Sequence, residues 1–233
     1  MNGSLRHALT LVALTLVGCT PRHWSAPVSV TRYDDTLVYD GMLSSAGLER
    51  LKASDAGTAR TLLIRSGGGS VTVGMDFGDW VFARHLDLVV NEGCFSSCAN
   101  YVFPAARTKN FLPGSVVGWH GNNLQASAET SIEIEVPRSQ RPYAYRLLTA
   151  LRAREAAFYA KIGVSECLDR FGYDVLGRHG FFSMSAEDMA RFGVTNVHGA
   201  PASKALVSAR LRDEVHFDFI TVPAGIDLAK ACR

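Results

Sequence analysis

The sequence predicts an α/β fold with a mainly parallel sheet, on three observations. Short apolar runs recur at 36–39, 61–65, 86–90 and 116–120. Stretches with helical spacing of apolar residues lie between them, and glycine-rich or polar turns separate the two kinds of segment. Strands that alternate with helices form right-handed crossovers, which leave neighbouring strands parallel.

Each element has its own local reason. Residues 36–39 (TLVY) form a first strand, and 46–53 a short helix. Residues 61–65 (TLLIR) run into Ser66-Gly67-Gly68-Gly69, a buried strand ending in a flexible loop. Val73, Phe77, Trp80 and Val81 repeat at helical spacing within 72–84. Residues 86–90 make the next strand, the apolar stretch 96–105 a helix, and 116–120 a further strand. Residues 122–137 are irregular, with Ile132, Ile134 and Val136 alternating with Glu133 and Glu135 as in a half-exposed strand. Residues 142–162 read as one long helix with Pro142 near its start. Ser185 caps another helix, with Asp188 three residues on as a variant of the capping box. Val215, Phe217 and Phe219 alternate with His216 and Asp218, the pattern of a late edge strand.

The bulk composition bounds the function. A chain of 233 residues suits one domain with extensions. It is 47% hydrophobic and 20% charged, which is globular rather than disordered. A net charge of +2 provides no nucleic-acid surface. Arg6 and His7 precede a run of apolar residues at 8–18, which fits a secretory signal and is short of the roughly 20 residues of a spanning helix. The run ends Leu16-Val17-Gly18-Cys19, which resembles the bacterial lipobox. That resemblance implies cleavage before Cys19, acylation of its thiol, and a periplasm-facing protein on the cell envelope. Thr20 in place of Asp favours the outer membrane. Residues 1–18 are then the signal peptide, 19–30 a linker, and 31–233 the working domain.

Export changes how the remaining cysteines read. Cys94, Cys98, Cys167 and Cys232 allow two disulfides with three pairings, and the sequence does not choose among them. A direct Cys94–Cys98 bridge is disfavoured if both sit on one helix, where i,i+4 separations lie near the limit of disulfide geometry. No His/Cys pair of matching spacing completes a metal site around Cys94-x3-Cys98, so no metal is expected.

Three pieces carry chemistry: Ser66-Gly67-Gly68-Gly69-Ser70, Cys94-Phe95-Ser96-Ser97-Cys98, and Gly118-Trp119-His120. A serine hydroxyl is a weak nucleophile until a base takes its proton. A neutral imidazole near pH 7 is such a base. Glycines let backbone N–H groups approach a developing oxyanion. Together these residues make a coherent acyl-transfer set.

The segment 64–120 resembles the proteolytic subunit of the Clp protease and its relatives in the ClpP/crotonase-like superfamily. Ser66-Gly67-Gly68-Gly69 is followed, after four residues, by Gly74-Met75, as in those peptidases. The 27 residues from Gly69 to Ser96 and the 24 from Ser96 to His120 match the family spacing to about a residue. Exported members often carry Cys-x-Ser-x-Cys, which selects Ser96 over Ser97. The likeness continues weakly through 182–187 and 192–194. The resemblance implies a spiral of ββα units. It makes Ser96 the nucleophile, His120 the general base, and the amides of Gly69 and Ser97 the oxyanion hole, with a helix dipole at Ser96 assisting. The family's third residue is an aspartate. Counting back from Ser185-Ala186 falls on Gly177; Asp174 is the nearer candidate and Asp169 the farther. None of the five lysines follows Ser96 at the spacing of a serine–lysine dyad.

The expected function is an envelope-anchored serine peptidase or related hydrolase, acting on peptides or unfolded chains without a cofactor. A homo-oligomer is expected from the family. The alternatives are a catalytically inactive scaffold or peptide-binding lipoprotein, and acyl-CoA chemistry, which export disfavours because CoA thioesters are cytoplasmic.

Overall fold

The computed structural model describes residue 24, residues 27–122 and residues 127–232. The signal peptide expected at 1–18, the expected acylation site Cys19 and most of the expected linker at 19–30 lie outside the described residues. Two strands open the domain. β1 (Ser29–Tyr33) and β2 (Thr36–Asp40) pair antiparallel about the turn Asp34-Asp35. β1 begins inside the stretch read as linker: its alternating, half-polar residues occupy an edge of the sheet and carry little hydrophobic signal.

From there the chain winds as predicted. α1 (Ser45–Ser54) is capped by the Ser44 hydroxyl, which accepts from the Gly47 amide at 3.1 Å. β3 (Thr61–Ser66), α2 (Val71–Ala83) and β4 (Asp87–Phe95) follow. A π-helical turn (Cys98–Val102) leads into the short α3 (Phe103–Ala105), then β5 (Lys109–Phe111) and β6 (Val116–Gly118). The expected helix over 96–105 is thus present from Ser97 onward, wound as a π turn between α-helical residues, and Ser96 stands at its N-terminal end.

α4 (Ser127–Glu135) and α5 (Arg141–Ile162) form a helical hairpin. The half-exposed strand expected near 131–136 is a correction: this segment is helix. Ile132 is buried, and Glu129 and Glu133 pair with Arg152 and Arg141 of α5. The chain closes with α6 (Phe171–Asp174), β7 (Phe181–Ser183), α7 (Ala186–Ala190), β8 (Val197–His198), α8 (Ala209–Glu214), β9 (Phe217–Phe219) and α9 (Leu228–Ala231). α7 starts at Ser185, which accepts from the Asp188 amide at 3.1 Å, as its sequence predicts.

The sheet order is β1-β2-β3-β4-β5-β8, with β6 also on β4, and every pairing except β1–β2 is parallel. β7 and β9 form a separate parallel pair. The α/β class with a mainly parallel sheet is therefore present. Leu37, Tyr39, Leu62, Ile64, Leu88 and Val90 point into the main core, where they meet Leu51, Phe77 and Val81 of α1 and α2. A second, smaller core gathers Trp24, Phe95, Val116, Leu211 and Phe217.

One irregularity positions the site. Ile64 pairs with Val90 and Ser66 with Cys94, so β4 inserts two extra residues against β3. Glu92, in that bulge, has φ +58°. Before the bulge β4 pairs with β5; after it, Gly93, Cys94 and Phe95 pair with Val116, Val117 and Gly118 of β6. Bulges re-aim a strand and its side chains. This one carries the end of β4 to β6, which ends two residues before His120.

Candidate active site

Ser96 sits at the apex of the turn that ends β4. Its φ is +54°, a region that costs a non-glycine residue energy and is kept where the surroundings impose it. Three constraints impose it here. The Ser96 amide donates to Gly118 O at 3.0 Å, its carbonyl accepts from the Asn100 amide at 2.8 Å, and a disulfide joins Cys94 to Cys98 across it. Of the pairings the sequence left open, the one present includes the direct bridge that helical geometry would disfavour. Cys94 is still in the strand and Cys98 begins the π turn, so the turn at Ser96 brings their Cα atoms to 5.3 Å. Cys167 and Cys232 form the second bridge.

The glycine loop lies against this turn. A Cβ placed on Gly68 would come within 2.7 Å of both the Phe95 carbonyl oxygen and Ser96 Cβ, and 2.9 Å from the Ser97 nitrogen. Gly68 also has φ +95°, so both contact and conformation require glycine. The Ser97 hydroxyl donates to Gly69 O at 2.8 Å and ties the two loops together. Gly69 and Ser97, the two residues expected to supply oxyanion donors, are thus neighbours.

His120 Nε2 lies 2.6 Å from Ser96 Oγ. A neutral ring protonated on Nδ1 accepts the serine proton there. Burial holds the imidazole pKa below its ordinary value, and the ring's own backbone carbonyl works the other way. The edge-to-face ring of Phe181, 4.8 Å away, packs on the imidazole. Trp119, next to His120, is locked by antiparallel bonding to Phe182 on β7.

The expected aspartate falls differently. Asp174, at the end of α6, is exposed, and its Oδ2 accepts from Arg170 at 2.8 Å; no bond among the described residues joins it to His120. Asp169 is fully buried and lies beside the histidine segment. Its backbone carbonyl accepts from the Gly121 amide at 2.7 Å, and its carboxylate from Asn122 Nδ2 at 2.8 Å and the Tyr159 hydroxyl at 2.7 Å. Burial, and then the charge of Glu155, push the Asp169 carboxyl well above the usual carboxylate range; Tyr159 and Asn122 oppose them.

Asn100 completes the framework. It stands on the serine's π turn, and its Nδ2 donates to Gly121 O at 2.9 Å, while Tyr159 OH reaches Asn100 O at 3.0 Å. The segment 120–122 is therefore held from both the serine side and the Asp169 side. Asn100, Asn122 and Tyr159 were not singled out in the sequence; the one local signal was Asn122 lying two residues past His120 in a Gly-Asn-Asn loop.

No family model matches the chain, and no curated protein matches it. Among solved structures, a mutant ClpP1 from Listeria monocytogenes is 17% identical, with 72% of this chain and 92% of that one covered and a TM-score of 0.41. A methylmalonyl-CoA decarboxylase is 12% identical over 42% of this chain and 49% of its own, with a TM-score of 0.33. A methylmalonyl-CoA decarboxylase in complex with 2-nitronate-propionyl-CoA matches at 12% identity over 39% of this chain and 48% of its own, with a TM-score of 0.31. The chain spans about half the length of the decarboxylase chains it matches.

Proposed function

We propose that this protein is an envelope-anchored serine hydrolase that cleaves peptide or related acyl bonds. The observation that carries the reading is the 2.6 Å contact between His120 Nε2 and Ser96 Oγ, with the serine raised on a positive-φ turn against a glycine loop. His120 takes the hydroxyl proton on Nε2 as Oγ bonds the substrate's carbonyl carbon. The amides of Gly69 and Ser97 stabilise the oxyanion. The protonated ring then gives its proton to the leaving amine as the C–N bond breaks. Water repeats the cycle to free Ser96. Burial keeps the resting imidazole neutral at pH 7, the form this step needs. Asp169 takes the supporting place in preference to Asp174, gripping Gly121 and Asn122 rather than the ring itself.

Acylated Cys19 anchors the domain on the periplasm-facing side of the envelope, where peptides and unfolded chains are the accessible substrates. Several acyl chains hold a protein stably, where one is marginal. A homo-oligomer accompanies this reading. The second reading, an inactive scaffold or peptide-binding lipoprotein, is favoured by one observation: both candidate carboxylates are engaged with other partners. A fluorophosphonate probe separates the two. Wild type should be labelled and Ser96→Ala should not; folded wild-type protein that resists the probe belongs to the scaffold.

A further inference from the structure

Trp24 is 1% exposed, although Pro27 and Ser29 just after it are exposed. Its ring is packed from several sides. The Arg65 guanidinium carbon lies 5.5 Å from the indole centroid, a cation–π contact. Asp40 and Glu92 orient that guanidinium, with bonds of 2.8 and 2.9 Å to Asp40 and 3.2 Å to Glu92. The Phe95 ring meets the indole edge-to-face at 5.5 Å. Beneath it lies Gly67, where an added Cβ would be 3.3 Å from Trp24 Cβ.

Two routes run from this side chain to the reacting pair. Gly67 opens the glycine loop, whose next residue packs against Ser96 and Ser97. Phe95 directly precedes Ser96, and its ring is wedged between Gly93 and Gly118, where added Cβ atoms would fall at 2.2 and 2.5 Å. Phe95 meets Phe181 at 5.2 Å, and Phe181 meets His120 at 4.8 Å. An unbroken row of rings therefore joins Trp24 to the imidazole.

We propose that Trp24 is a positioning residue for Ser96 and His120: its indole is the resident ligand of an aromatic site built by Arg65, Gly67 and Phe95. Occupancy of that site sets the glycine loop and the ring row, and couples attachment of the N-terminal segment to the competence of the pair. The proposal rests on the hydrolase reading of that pair.

The full chain carrying Trp24→Ala should label with fluorophosphonate about 10–100-fold more slowly, the scale of a small misplacement. Free indole should restore the rate saturably, and Trp24→Phe should keep most of it. The amide resonances of Gly68, Gly69 and Ser96 report the same coupling without chemistry. They should shift in Trp24→Ala and return towards wild type with indole. Wild-type labelling in Trp24→Ala, or a loss that neither indole nor Trp24→Phe repairs, overturns the proposal and leaves the hydrolase reading standing. Wild-type protein that does not label removes the hydrolase reading. The amides then decide alone, and unmoved resonances overturn the role of Trp24.

Discussion

At the scale of single residues, protonation makes two predictions. In the proposed mechanism attack needs neutral His120, so labelling should rise as the imidazole loses its proton. Burial depresses that pKa, so the midpoint of the rate–pH profile should fall below the ordinary 6.5. A midpoint above 7 would mean that a carboxylate faces the ring. Lys109 makes the second. It is 5% exposed, donates to Thr195 O at 3.1 Å, and burial lowers its pKa from 10.5 to about 8. Between those values the unfolded chain binds more protons than the folded one, so stability rises with pH. Denaturant unfolding should show wild type gaining about 2 kcal/mol from about pH 7 to pH 9.5 relative to Lys109→Met, through this linkage. Parallel curves for the two proteins would contradict it.

At the scale of elements, β4 does the positioning. Its bulge moves the strand from β5 to β6, and the Cys94–Cys98 bridge closes the turn that follows. A loop this short constrains the unfolded chain weakly, by about 2 kcal/mol on chain-entropy grounds. Its removal should fall more heavily on geometry. The Cys94→Ala/Cys98→Ala protein should lose about 2 kcal/mol of stability and about tenfold or more in labelling rate. An unchanged labelling rate would show that the hydrogen bonds to Gly118 and Asn100 hold Ser96 unaided. α4 makes the contrasting point. Its alternating Ile and Glu residues match a strand locally, whereas in the fold they form a helix whose Glu129 and Glu133 pair with Arg152 and Arg141 of α5 and whose Ile132 is buried.

At the scale of the molecule, the C-terminal segment is a strap. Cys232 follows α9 and bridges to Cys167, 65 residues back, and its carbonyl accepts from Arg170. The same turn carries Asp169, so the strap closes over the support of the histidine segment. A loop of this length is worth about 4 kcal/mol. Cys232→Ser should therefore cost more stability than loss of Cys94–Cys98 and less labelling rate, measured by denaturant unfolding beside probe kinetics. The reverse order would place the short bridge in the global framework and the long one at the site.

The sequence by itself determined the alternation of strands and helices, the glycine loop at 66–69 and the capped start of α7, and it singled out Ser96 and His120 as candidates. Each depends on chemistry within a few residues or on a repeated period, and those are written locally. Only the tertiary structure decided that Ser96 and His120 touch, that Asp169 bonds the segment after His120 while Asp174 pairs with Arg170, that Cys94 joins Cys98, and that Trp24 packs on Phe95 beside Ser96. The physical reason is common to them. A two-residue bulge, a positive-φ turn and a buried indole each change where distant segments meet, and counting along the chain does not register them.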